Sequence, residues 1–313
     1  MFLSYLTVTI RGFLSRRAYS LVNVASLSIG IAFCILIFLF VHDEWTYDAF
    51  HKNGDRIFRL TKAGVLPNGQ TFPSSGHRAG LGPRLKETFS EIELISRISG
   101  ASTSRVTVGT KVFLEEVTFV DPSLMQMFTF PLNHGDAKTA LSQEHSVVLS
   151  QELAQKYFGD ENPIGNVLQI DNFNIKGESL IVTGVADKIP RNSSITFDIL
   201  VPIDWIDKGK YAKLTDVGAT YVLLAPGSSS TQLEEKITSW VKNLSDESAE
   251  GVAETRSAYQ MESLIDIHFS SANPFSGPVN NPLYSYVLST IAILVLVIAC
   301  INYTTLSLGL TVR

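Results

Sequence analysis

Cysteine is nearly absent from this chain. The 313 residues hold two, Cys34 and Cys300, and both fall inside apolar runs, where small packing residues are expected. The long stretch between those runs has none. A disulfide framework is therefore excluded there, and that region must be stable through its own core. Signatures of several chemistries are missing too. There is no G-x-x-x-x-G-K-S/T, so the chain does not bind ATP through a P-loop. There is no H-E-x-x-H, no paired C-x-x-C and no G-x-S-x-G elbow. The six histidines, His42, His51, His77, His134, His145 and His268, are scattered without metal-ligand spacing. Glu115 and Glu116 are adjacent on an expected strand, so their carboxylates point to opposite faces and cannot work as an acid/base pair there. No catalytic constellation rises above background.

Acidic side chains are missing from the first 41 residues and from residues 286–313. Two long apolar segments, Leu21–Val41 and Tyr286–Leu306, occupy these ends and contain no charged side chain. At ~1.5 Å rise per residue each is long enough to cross a bilayer as a helix. Arg11, Arg16 and Arg17 precede the first, and Arg313 follows the second. Basic flanks stay in the cytoplasm, so both termini are expected there, with the middle exported. Of the 25 basic residues these are four, leaving 21 in the middle against all 30 acidic residues. The exported part is thus strongly acidic, which argues against a nucleic-acid partner. A cleaved signal peptide is the alternative for the N-terminus; the run is long for one, and no A-x-A site follows Val41. Residues 2–14 fit a short amphipathic helix at the inner interface, or a disordered stub.

Within the apolar segments, Ser26 and Gly30 lie one helical turn apart and offer a surface where another helix can approach closely. Asn23 and Asn302 each lie near the cytoplasmic end of a helix. They are expected at similar depth, facing protein; the alternative is that each reaches interfacial water. These four residues are the candidate interhelix packing set.

The middle reads as mixed α and β. Alternation marks Arg56–Lys62 as a half-buried strand, and helical spacing of Leu85, Phe89 and Ile92 marks a helix over Pro83–Glu93. Strands are expected at Leu94–Ile98, Arg105–Val108, Val112–Val120 and Ser146–Leu149. Ser150 should cap a helix that Gly159 stops. Further strands are expected at Val167–Ile170, Leu180–Val185, Phe197–Val201 and Ala219–Ala225. Thr231 and Glu234 form a capping box for a helix with Leu233, Ile237, Trp240, Val241 and Leu244 on one stripe. A solvated loop over 245–257 and a last strand, Gln260–Phe269, complete the pattern. The economical fold is an α+β domain: a mixed α/β core with an inserted β-rich subdomain near 160–205, flanked by two transmembrane helices. A single continuous sandwich is the alternative. The segments are 1–20, cytoplasmic or interfacial; 21–41, first membrane helix; 42–285, exported domain; 286–306, second membrane helix; and 307–313, cytoplasmic.

Several stretches together resemble the MacB/FtsX-like ABC transporter permeases, in particular the Bacteroidetes type. They are Glu44, the run Tyr47-Asp48-Ala49-Phe50-His51 and the run Asp55-Arg56-Ile57-Phe58-Arg59. Then come Asp121, Phe128 and Phe130 with Gly135-Asp136; Val147–Leu149; Ala154 through Gly159; Pro163-Ile164-Gly165; Val182 through Val185; and Pro190 through Ser193. Asp266-Ile267-His268 and Ile298 through Tyr303 close the series. Each piece is weak alone, but their order spans nearly the whole chain. The resemblance implies a non-catalytic permease subunit of the bacterial inner membrane, with a MacB-like periplasmic core domain between helices one and two. It implies no cofactor on this chain, with ATP bound by a partner. The implied partners are a cytoplasmic ABC ATPase, the remaining permease helices or a second permease copy, and a periplasmic protein. Export of antimicrobial peptides, extraction of lipoproteins and activation of cell-wall hydrolases all occur in such families. Members of the family continue past the position of Asn302 into a basic segment and further helices, so this sequence is expected to be a fragment or split-gene product of a longer permease, or else a reduced subunit. Other layouts fit the same outline: a two-helix membrane sensor with a periplasmic ligand-binding domain, or a membrane-anchored enzyme.

Overall fold

The computed structural model describes residues 17–65, 71–172, 176–207, 216–244, 258–270 and 281–311. The amphipathic segment at 2–14 and the loop at 245–257 lie outside these residues. In chain order the helices are α1 (Arg17–Trp45), α2 (Leu81–Thr88), α3 (Leu124–Met127), α4 (Gln151–Phe158), α5 (Asp204–Asp207), α6 (Ser230–Lys242) and α7 (Pro282–Thr311). The strands are β1 (Ile57–Val65), β2 (Thr71–Ser74), β3 (His77–Arg78), β4 (Ile92–Ile98), β5 (Ser102–Val108), β6 (Lys111–Val120) and β7 (Leu132–His134). They continue as β8 (Ser146–Leu149), β9 (Val167–Asp171), β10 (Glu178–Ala186), β11 (Ile199–Pro202), β12 (Asp216–Val217), β13 (Ala219–Leu224) and β14 (Tyr259–Ser263). The chain divides into two compact units. One is the helix pair, Met1–Thr46 with Asn281–Arg313, and the other is the domain, Tyr47–Asn280.

In the helix pair, the spans Val24–Trp45 and Pro282–Thr305 have mean hydropathies of 2.8 and 2.4, yet only 11% of each is buried. Leu21, Ile29, Phe38 and Ile298 stand open on the outside. The central helix of a soluble protein would hide such side chains; helices that leave them exposed along their length need lipid around them.

Beside a small two-stranded sheet of β3 and β12, the domain contains one 12-stranded sheet whose two parts join where β4 pairs with β6. The first part closes on itself. β5 pairs antiparallel with β6 and with β9, β9 with β10, β10 parallel with β8, β8 antiparallel with β11, and β11 parallel with β6. These six strands form a ring. The pleat turns Val106, Val117, Phe119, Val147, Leu149, Leu168, Ile170, Leu180, Val182, Ile199 and Val201 into one buried cluster, which fills the small interior as a closed barrel of this size requires. The β-rich part is thus wider than 160–205, because β5, β6 and β8 are recruited from upstream by pairing that no local pattern records.

The second part is open and antiparallel, in the order β4-β13-β1-β14. β13 alternates cleanly: Val222 and Leu224 meet Leu81, Leu85, Leu233, Ile237 and Val241 from α2 and α6. Ala219, Tyr221 and Leu223 instead join Leu124, Met125, Phe128 and Ile267 on the opposite face. Val148 and Leu200, on the outer side of the barrel, enter that same second cluster, so the two parts are bonded by a common core. β4 meets β6 only at Ile98 and Val120.

Several local expectations are corrected. Residue 83 lies inside a helix that starts at Leu81 and ends at Thr88, and Ile92 already belongs to β4. Ser150 accepts a bond from the Leu153 amide, and Gly159 ends α4 at φ 60°, both as read from sequence. α6, however, begins two residues earlier than the Thr231–Glu234 box: Ser229 is its cap and accepts from the Gln232 amide. Glu234 is engaged elsewhere, accepting from the Met261 amide at 3.2 Å. The last strand stops at Ser263, and Leu264–Phe269 is a 3-10 helix. Its three-residue period lets Leu264 and Ile267 both reach the core.

Candidate functional site

In the helix pair, α1 and α7 run antiparallel, and small residues set their contact. A Cβ at Gly30 would stand 3.2 Å from the Ala299 Cβ, so glycine permits the approach. Asn302 Nδ2 donates to Ser26 Oγ at 3.4 Å, and Cys34 Sγ donates to the Ala292 carbonyl at 3.3 Å. Trp45 meets the Tyr286 ring edge-on at 5.7 Å. Ser26, Gly30 and Asn302 are therefore brought to one seam, with Asn302 opposite Ser26. The Asn23 side chain lies outside the described positions.

The second candidate site is in the domain, in the segment that directly follows α1 in sequence. Asp48 has φ 58°, a left-handed conformation uncommon outside glycine but tolerated by aspartate. That turn buries its side chain. The Asp48 amide donates to the Asn192 carbonyl at 2.9 Å, and Asp48 Oδ1 accepts from the Ser194 amide at 2.8 Å. His51, one turn on, accepts at Nδ1 from the Thr129 amide at 3.0 Å, which assigns the neutral ring's proton to Nε2. The ring is walled by Phe50, Phe128 and Phe130. Its Nε2 lies 3.8 Å from Asp48 Oδ1, beyond hydrogen-bond reach. Asp48 Oδ2, His51 Nε2 and Ser194 Oγ are buried without a hydrogen-bond partner among the described residues. Burial raises the Asp48 carboxyl above its ordinary range, with Ser194 acting the other way, and burial pushes the His51 imidazole down to about 4. Beside them Tyr47 stacks on His268 with ring centroids 3.5 Å apart and donates to the Arg191 carbonyl at 3.3 Å. Two segments far apart in sequence, 47–51 and 191–194, are thus tied through a polar knot that is incompletely hydrogen-bonded.

A saturated counterpart lies where the two parts of the large sheet join. Arg97 grips Asp121 through Nε at 2.9 Å and Nη2 at 2.7 Å, and Nη1 donates to the Ala79 carbonyl at 2.8 Å. The Arg97 amide also donates to Asp121 Oδ2 at 2.7 Å. A similar side-on grip joins Arg59, through Nε at 3.0 Å and Nη2 at 2.6 Å, to Glu262 Oε2 across β1 and β14. Glu115 faces inward and bonds Lys156 at 2.6 Å, while Glu116 is exposed on the opposite face, as strand alternation requires. Among the described residues no group of His, Cys, Asp and Glu side chains converges well enough to hold a metal ion.

A sequence profile of the MacB-like periplasmic core domain matches residues 20–240. The chain belongs to this family. The fold agrees. A domain of a protein described as a permease, from Porphyromonas gingivalis, superposes with a TM-score of 0.57 at 24% identity, over 76% of this chain and 98% of that one. The periplasmic region of MacB from Actinobacillus actinomycetemcomitans superposes with a TM-score of 0.50 at 16% identity, over 68% and 91%. Among curated protein sequences none matches significantly. The chain is accordingly a component of a MacB/FtsX-type transporter. In this MacB-like domain the motif residues have plain structural work: Tyr47, Asp48 and His51 form the knot, Arg59 binds Glu262, and Asp121 holds Arg97. Sequence reading found the motif residues but not their partners, which come from 24 to 203 positions away in the chain.

Proposed function

We propose that this chain is the non-catalytic permease subunit of a MacB/FtsX-type ABC transporter in a bacterial inner membrane. Both termini face the cytoplasm, and the MacB-like domain is periplasmic. A separate cytoplasmic ATPase binds and hydrolyses ATP, and the helices carry the resulting motion to the periplasmic domain, which moves an exported or extracted substrate. The observation that carries this reading is the combination of the family match with two lipid-type helices that flank the domain in sequence. The basic N-terminal flank supports the orientation, and the acidic domain supports a location away from nucleic acid. Further permease helices or a second copy complete the membrane part. Within the helix pair, the Ser26–Asn302 bond and the close approach at Gly30 hold α1 to α7; Gly30→Leu is expected to lower the melting temperature of the chain in detergent micelles.

The test is purification from membranes with an affinity tag. A P-loop ATPase should co-purify, and deletion of residues 42–285 should abolish any response of its ATP turnover to the exported substrate. Purification without an ATPase would overturn the proposal.

A further inference from the structure

The segment that follows α1 in sequence is fastened to the domain by a joint that excludes a charge. His51 accepts at Nδ1 from the Thr129 amide at 3.0 Å. The lone pair that makes this bond is the one that would take up a proton. An imidazolium carries N–H at both nitrogens and would set Nδ1–H against the Thr129 N–H. The charged ring and the His51–Thr129 bond are therefore mutually exclusive. The next residue repeats the tie, because the Lys52 amide donates to Thr129 Oγ1 at 2.9 Å. Both ties end on one residue, in the stretch between α3 and β7.

Little else holds the ring. Its Nε2 lies 3.8 Å from Asp48 Oδ1, beyond hydrogen-bond reach, and has no hydrogen-bond partner among the described residues. The backbone just before it, at Asp48, sits at φ 58°. A non-glycine residue stays in that region only where surrounding bonds enforce it. Here they are the bonds to the Asn192 carbonyl and the Ser194 amide. The rest of the grip is made by rings: Phe50 packs against the core cluster, and Tyr47 stacks on His268. A segment held this way has two arrangements, bonded to Thr129 with a neutral ring or released with a charged one.

The charged and titratable neighbours can be named on every side. Phe128 and Phe130, which wall the ring, bring no charge. Asp48 is the acid facing it. Burial raises the Asp48 carboxyl, while Ser194, His268 and Ser193 act the other way. Lys52, Arg191 and Asp266 are exposed. Asp48 competes for a proton while the segment is bonded, and so opposes release. Burial pushes the bonded His51 ring down to about 4; in solvent it returns to about 6.5. Falling pH across that interval therefore favours the released arrangement, by at most about tenfold per pH unit.

We propose that residues 47–52 form a proton-operated latch: uptake of one proton at His51 Nδ1 breaks the bond to the Thr129 amide and lets the segment come away from the core while the rest of the domain stays folded. The proposal stands apart from the transport reading, since it concerns the domain alone.

The experiment is amide hydrogen exchange of the full chain in detergent micelles across pH 6.5 to about 4, corrected for intrinsic exchange rates, with β13 as internal reference. Protection at Asp48, Thr129 and Ser194 should fall by about tenfold or more relative to β13. His51→Gln keeps an acceptor for the Thr129 amide but takes up no proton, so protection should stay level with β13. Asp48→Asn should retain the fall, because the proton that counts is on the imidazole. His134→Gln, at an exposed histidine of β7, should leave the fall unchanged. Should His51→Gln fail to fold, the ring NMR shifts of His51 in the parent chain decide. Protonation in step with loss of Thr129 protection supports the latch; protonation with Thr129 still protected overturns it. So would no fall relative to β13, a fall that survives His51→Gln, or one abolished by Asp48→Asn or His134→Gln.

Discussion

Two acid–base pairs in the same domain are built in opposite ways. Arg97 and Asp121 meet fork to fork, and Arg97 spends a further donor on the Ala79 carbonyl. Asp48 and His51 are the more deeply buried pair, with side chains 1% and 0% exposed against 15% for Asp121 and 6% for Arg97, yet the imidazole sits 3.8 Å from the carboxylate and three polar atoms nearby go unpaired. Burial is therefore not what separates a clamp from a labile site. The difference lies in how many hydrogen-bonding positions are filled, because in a low-dielectric interior a filled network rigidifies and a partly filled one stays costly. The clamp lies where β4 meets β6 and fixes the two parts of the sheet together. The knot lies at the first residues of the domain, where the chain has just left α1, and burial disfavours the charged form of both its acid and its base.

The largest expected effect comes from breaking the clamp. Arg97→Ala leaves the half-buried Asp121 without its counter-charge and should cost about 3 kcal/mol, measured by denaturant unfolding of the full chain in micelles. A loss below about 1 kcal/mol would mean the clamp is not what joins the two parts. Next is the acid limb of the stability curve. His51 is neutral in the fold and titrates at about 4 instead of 6.5. Its contribution is present above pH 6.5 and is lost as pH falls through 4, about 3 kcal/mol in all. Buried His77, pushed down to about 3 by burial, slopes the same way. His51→Gln, which still accepts from the Thr129 amide, should flatten part of the fall between pH 6.5 and 4; an unchanged slope would place the titration elsewhere.

The paired amide substitutions sharpen the contrast further. Asp121→Asn replaces a charge-assisted fork and should cost about 2 kcal/mol. Asp48→Asn keeps an acceptor for the Ser194 amide and tolerates the left-handed backbone. It should change stability by less than about 1 kcal/mol near neutral pH. The raised Asp48 carboxyl stabilises the fold below the ordinary aspartate range, and that contribution is lost as pH rises through its folded value. Asp48→Asn removes this opposing slope, so its acid limb should be steeper than that of the parent. Equal losses at both positions would erase the distinction between clamp and knot.

Much of this was legible in the sequence where the signal is local. Leu21–Val41 announced a membrane helix by length and hydropathy alone. Ser150 and Gly159 marked both ends of α4, and the apolar run Ala219–Ala225 marked a buried strand. What could not be read depends on distance along the chain. Leu264–Phe269 has the apolar density of a strand, and only its packing against the core selects a 3-10 helix. Ser229 is the cap instead of Thr231, and Glu234 binds the Met261 amide on β14 instead of closing a capping box. The barrel escaped because β6 finds β11 some 80 residues later. The knot was visible as the run Tyr47–His51, yet nothing in that run reveals Asn192, Ser194 or Thr129 as its partners.

The ring of strands also sets an order of events. Its members lie between Ser102 and Pro202, whereas β1 of the open sheet must wait for β13 and β14, the latter ending at Ser263. For a chain emerging N-terminus first, the barrel can complete its hydrogen bonding while the open sheet still lacks two strands. Loop closure over long separations is slow, so the half-made sheet, with the edges of β1 and β4 that face β13 still open, is the stage most exposed to misassociation. An already closed barrel, which has no free edge to offer, is a neighbour unable to capture those strands wrongly.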